Sequence, residues 1–146
     1  VPSTQNLPEN ATPTAAQTPQ PEPTREPTLE GSSDETLPLI EWQRSGGIAG
    51  LCRHLTLYKD GSYQYSDCRE YTLINEGKLS GDQLAYFTDL ARRYGDFRWE
   101  FNPPKKAADM FVDWYLFHGE GSETPSEQDM REINNRLAIL TAKITS

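Results

Sequence analysis

No run of eighteen apolar residues occurs in this 146-residue chain, so no segment of it reads as a membrane-spanning helix. Histidine is limited to His54 and His118, which are not at helical metal-ligand spacing. The only two cysteines, Cys52 and Cys68, form no Cys-x-x-Cys pair. The glycine-rich stretch at 45–50 lacks the Gly-Lys-Ser/Thr ending of a phosphate loop and runs on as Gly50-Leu51-Cys52. Basic residues are scarce: 14 Lys and Arg face 22 Asp and Glu, for a net charge of −8. No Lys/Arg stripe stands out, which argues against a nucleic-acid partner. Acid pairs such as Asp82 with Asp89, or Glu127 with Asp129 and Glu132, fall on expected helix surfaces, where charge solvates the outer face. Nothing here points to a metal, cofactor or covalent mechanism. The expectation is a non-enzyme.

Aromatic residues are missing from positions 1–38, although the chain has fifteen. The same stretch holds eight of the eleven prolines and few side chains larger than alanine. Such a segment cannot bury enough apolar surface to offset an ordering entropy of roughly 1–2 kcal/mol per residue. Residues 1–38 therefore read as a disordered Pro/Thr-rich stalk, and residues 39–146 as one domain large enough to fold alone. The stalk carries six acids and one base, −5 of the −8, leaving −3 for the domain. A chain opening at Val1 inside such a spacer has the look of a mature protein. The expectation is a removed leader, with a lipid-bearing cysteine ahead of Val1 as the only link to a membrane. Asn10-Ala11-Thr12 matches the glycosylation acceptor pattern, as a Thr-rich segment also does by chance.

The domain reads as α+β, an antiparallel sheet of four to five strands with two helices on one face. Residues 39–44 alternate weakly as a short strand, and 45–50 interrupt it as a bend, bulge or protruding loop. Residues 51–58 and 62–69 form a hairpin around Lys59-Asp60-Gly61, a type I turn followed by a glycine bulge. That register sets Leu57 against Tyr63 and Cys52 against Cys68. An oxidising compartment would then give a disulfide closing about seventeen residues, contributing on the order of 3 kcal/mol. Two facing free thiols are the alternative, and a two-residue Asp60-Gly61 turn would instead set Cys52 against Arg69. Residues 70–74 follow as a strand, with a turn at 75–77. Ser80-Gly81-Asp82-Gln83 is a capping box opening a helix whose apolar stripe is Leu84, Phe87, Leu90, Ala91 and Tyr94, with Gly95 as its C-cap. Residues 96–100 lead into 101–106, which with Pro103-Pro104 cannot be a central strand. Residues 110–118 are apolar on both faces except at Asp113 and read as an internal strand. Thr124-Pro125-Ser126-Glu127 opens the second helix, with Met130, Ile133, Leu137, Leu140 and Ile144 as its stripe. Trp42, Trp99 and Trp114 read as core residues, or as interface anchors.

The string Ile40-Glu41-Trp42-Gln43-Arg44-Ser45-Gly46-Gly47-Ile48-Ala49-Gly50-Leu51 resembles the opening signature of emfourin-type proteins, roughly apolar-x-x-x-Arg-Ser-Gly-Gly-aromatic-Ala-Gly-apolar. The succession of hairpin, Ser-capped helix, proline-containing loop, apolar strand and terminal helix is similar too. Ile48 stands where that family often has Phe. The Cys52/Cys68 pair and the short turn at 118–123 look like its secreted, stalked relatives. The resemblance implies an extracytoplasmic protein-binding module, an inhibitor of secreted thermolysin-like metalloproteases, whose partner-binding residues are Arg44, Ser45, Gly46, Gly47, Ile48, Ala49 and Gly50. A monomer is expected. Such a loop would offer peptide groups and one apolar anchor, Ile48, to a cleft that reads backbone, in the manner of strand addition. The alternative is a structural or accessory stalked lipoprotein, in which these glycines only bend a long strand.

Overall fold

The computed structural model describes residues 37–101 and 109–146. The expectations for the stalk before residue 37, for Asn10 and for the proline loop at 102–108 lie outside the described residues.

Among the described residues eight elements follow in order: β1 (Pro38–Gly46), β2 (Leu51–Tyr58), β3 (Ser62–Asp67), β4 (Thr72–Lys78), α1 (Gly81–Arg93), β5 (Phe97–Glu100), β6 (Phe111–Phe117) and α2 (Glu127–Ile144). The strands make one sheet in the order β4-β3-β2-β1-β6-β5, with every pairing antiparallel. The fold is α+β with six strands, one more than the upper expectation of five. The additional strand is β5, whose Phe-Arg-Trp-Glu alternates apolar and polar over only four residues. Ring pairs across the ladder hold it: Phe97 stacks on Phe117 at 4.9 Å and Trp99 on Tyr115 at 5.6 Å. It lies at an edge of the sheet.

The sheet buries one face. Ile40 and Trp42 of β1, Leu55 and Leu57 of β2, Tyr65 of β3, and Tyr115 and Phe117 of β6 form a single cluster with Phe87 and Leu90 of α1 and Ile133, Leu137 and Leu140 of α2. Full burial of each such side chain contributes about 1.5–3 kcal/mol. Two polar contacts fix α2 on this layer. Trp42 Nε1 donates to Asn134 Oδ1 at 3.0 Å, and the Tyr115 hydroxyl donates to the Met130 carbonyl at 2.9 Å. Burial pushes the Tyr115 phenol far above its usual pKa, so it stays a donor. Trp42 is therefore core, as one of its two readings had it.

Several local expectations shift. Residues 75–77 are not a turn, because β4 continues to Lys78: Gly77 lies directly beneath the Tyr63 ring, and Asn75 Nδ2 reaches the Ile144 carbonyl at 2.8 Å. The turn falls earlier, at 68–71, where the Asp67 carboxylate accepts from the backbone amides of Arg69 and Glu70 at 2.8 and 3.1 Å. Gly95 does not cap α1. The helix ends at Tyr94 in an extended conformation, and the amides of Glu120 and Glu123 take the Ala91 and Arg93 carbonyls. The cap of α2 is Ser126 rather than Thr124, in a capping box with Asp129, leaving Pro125 buried one residue outside the helix.

Candidate binding surface

Two loops and the described ends of a third connection meet at one end of the sheet: 47–50 between β1 and β2, 68–71 between β3 and β4, and Phe101 with Asp109 and Met110 between β5 and β6. Their roots are neighbours, since Gly46 pairs with both Leu51 and Phe111, and Asp67 with both Arg53 and Thr72.

Of the residues expected to bind a partner, three are in the sheet. The strand does not break at Ser45. Arg44, Ser45 and Gly46 pair with Arg53, Cys52 and Leu51 on one side and with Asp113, Val112 and Phe111 on the other. A strand flanked on both sides has no free edge to lend, so strand addition at 44–46 is ruled out. The Arg44 side chain is also engaged. Its Nε and Nη2 donate to the two Asp113 oxygens at 2.7 Å each, and its guanidinium stacks over the Trp42 and Phe111 rings. Asp113, with its side chain 8% exposed, also accepts from Asn134 Nδ2 at 3.1 Å. One chain of contacts, Trp42–Asn134–Asp113–Arg44–Phe111, thus joins the core to the root of the loop. Asp113 was legible as the lone charge in an apolar strand, but its partner was not.

What projects is a four-residue turn, Gly47-Ile48-Ala49-Gly50, closed by a 2.9 Å bond from the Gly50 amide to the Gly47 carbonyl. Gly46 and Gly47 both have positive φ, 121° and 73°. A Cβ on Gly46 would stand 2.6 Å from the Met110 carbonyl oxygen, and one on Gly47 3.1 Å from the Phe111 ring. Glycine here lets the β6 entry lie directly against the turn. Ile48 is left 90% exposed.

The neighbouring turn is bound to this one. Cys52 and Cys68 form a disulfide with 5.3 Å between their Cα atoms, as the hairpin register implied, and the Arg69 guanidinium lies over Gly50. At its apex Tyr71 has φ 54° and is also 90% exposed. A non-glycine residue in the left-handed region costs about 1–2 kcal/mol, and an aromatic there without cover is doubly unfavourable.

Nine large hydrophobic side chains are exposed among the described residues. Six of them, Ile48, Tyr71, Leu73, Phe101, Met110 and Phe111, belong to this end. A cleft of about 580 Å³ lies against Phe111, lined by the apolar Trp99, Phe101 and Met110 and by the charged Arg44, Asp109 and Arg131. Tyr71 and Phe111 were not picked out by sequence reasoning, because exposure at a turn depends on what the tertiary fold leaves uncovered. Among the described residues no group of three or more His, Cys, Asp or Glu side chains could hold a metal, and no helix is long and apolar enough to cross a membrane.

The molecule is thus an α+β domain with an apolar, disulfide-braced loop end. Set against known protein families, curated proteins and solved structures, the chain has no match in any of the three.

Proposed function

We propose that this protein is a non-enzymatic, extracytoplasmic protein-binding module that engages its partner through the apolar loop end. The observation that carries the reading is the gathering of six of the nine large hydrophobics exposed among the described residues at one end of the sheet, four in its connections and two in the adjoining strand ends. Scattered singly, such residues need no explanation; clustered at one end, they mark an interaction site. The chain enters the sheet at Pro38, the opposite end of β1, about 26 Å away at about 3.3 Å per residue. Binding runs through side chains and the 47–50 turn, since the backbone groups of 44–46 are already paired. The disulfide is the feature that supports an oxidising compartment.

The resemblance of residues 40–51 to emfourin-type proteins nominates the partner class, a secreted thermolysin-like metalloprotease. Incubating the purified protein with such a protease tests this. Stoichiometric loss of proteolysis that Ile48→Asp abolishes supports inhibition. Unimpaired proteolysis favours the second reading, a structural or accessory role. That reading has its own support in Arg44, Ser45 and Gly46, which serve the sheet.

A further inference from the structure

We propose that the outer edge of β4, over residues 72–74, takes an extended segment of a protein partner as an added strand. This rests on the protein-binding reading and states how the partner is held beside the loop tips.

The sheet has two edges, and they differ. β5 is four residues long, with Arg98 reaching both Glu100 at 3.5 Å and the face of Trp114, a short charged edge of the kind that resists pairing. β4 begins with Thr72-Leu73-Ile74, without charge or proline, and Leu73 and Ile74 are 54% and 45% exposed. Among the described residues no hydrogen bond reaches the outer side of these three residues. The second half of the strand is blunted: Asn75 is held by the Ile144 carbonyl, and Glu76 and Lys78 carry charge. The open stretch is continuous with Tyr71 and so with the loop end.

Unpaired backbone donors and acceptors select another extended backbone, and the flanking Leu73, Ile74 and Tyr71 select apolar side chains on it. The occupant is therefore a proline-free segment with β-branched or aromatic residues. Residues 1–38 of this chain do not qualify, having eight prolines and no aromatic residue. A second copy fits poorly. Self-pairing centred on Leu73 brings Glu70 against Glu76 of the second copy. Asp67, Glu70 and Glu76 outnumber Arg69 and Lys78 here, which gives no attraction to an anionic lipid surface.

The test uses the full chain and a pool of peptides Lys-Thr-Xaa-Thr-Xaa-Thr-Lys with Val, Ile, Tyr or Phe at Xaa. A control pool has Pro at Xaa. At about 1 mM peptide, amide exchange at residues 72–75 slows by about tenfold or more, and the Pro pool leaves it unchanged. Leu73→Lys, and Leu73→Thr as a milder variant that keeps strand propensity, weaken binding, while Ile48→Asp does not. Protection at β5, at the 47–50 turn alone or nowhere overturns the proposal. So does a dimer in sedimentation that Leu73→Lys dissolves, or vesicle binding lost in that variant. Protease inhibition lost in Ile48→Asp with β4 protection intact separates the two readings. Peptide binding without any effect on proteolysis sinks only the protease assignment.

Discussion

The two ends of the sheet are built on opposite rules. At the end where β1 starts, charges face charges across the connections: Lys59 with Glu120, Lys78 with Asp60, Arg93 with Glu123, and His118 with Glu41. At the end where β1 stops, Arg44 pairs with Asp113 and Arg53 with Asp67 on the core side of the sheet, and apolar side chains turn outward among the exposed Arg69, Glu70 and Asp109. An end shaped only for stability would do the reverse. The difference shows that the loop end is held rigid from beneath and left apolar on top, the arrangement a binding surface needs.

The sharpest way to break the contrast is to remove Asp113. Asp113→Ala leaves Arg44 and Asn134 without their acceptor and should cost about 3 kcal/mol or more in denaturant unfolding, as for a buried pair broken on one side. Glu123→Ala at the other end should cost under about 1 kcal/mol, since its pair with Arg93 is exposed. Equal losses would erase the distinction drawn here. Reducing the disulfide, or Cys52→Ser with Cys68→Ser, should cost about 3 kcal/mol for a loop of this length. Amide exchange should then rise first at 47–50 and 68–71.

Tyr71→Gly inverts the usual direction. Relief of the left-handed strain should raise stability by about 1 kcal/mol while weakening partner binding. A destabilised variant would mean that Tyr71 is packed and not presented. The smallest stability change belongs to Ile48→Asp, within about 0.5 kcal/mol, despite its loss of binding.

Acidification offers a further test. Burial lowers the His54 pKa, with the nearby Glu41 charge opposing the shift. The unfolded chain then takes up this proton first, so stability falls as pH drops below about 6.5 towards the folded pKa. A second loss follows below about pH 4. There Asp67 and Asp129, held low by the Glu70 and Arg69 amides and by Ser126 respectively, become protonated. His54→Gln should delete the first step from a pH series of melting curves and leave the second.

Much of the fold was legible where local chemistry is decisive. The Lys59-Asp60-Gly61 turn set the β2–β3 register, and with it the facing cysteines. Ser80 with Gln83 marked the α1 start because both partners of the cap lie within one turn of helix. Misreadings came where a distant group overrode local preference: Tyr63 above Gly77 kept β4 extended, Met110 beside Gly46 kept β1 running, and the 119–123 segment ended α1 without a left-handed glycine. The candidate site was half legible. Ile48 and its glycines stood out, whereas Tyr71, Phe111 and the Arg44–Asp113 support required the sheet to bring residues far apart in sequence together.

By itself, then, the amino-acid order determined the two helices, the hairpin pairing and the cysteine partnership, because each depends on neighbours a few residues away or on one turn. Only the tertiary structure decided that Arg44 pairs with Asp113, that β4 rather than β1 lies at an edge of the sheet, and that the exposed apolar residues gather at one end. Those outcomes depend on strand order, and strand order is settled by packing between segments that the chain keeps far apart.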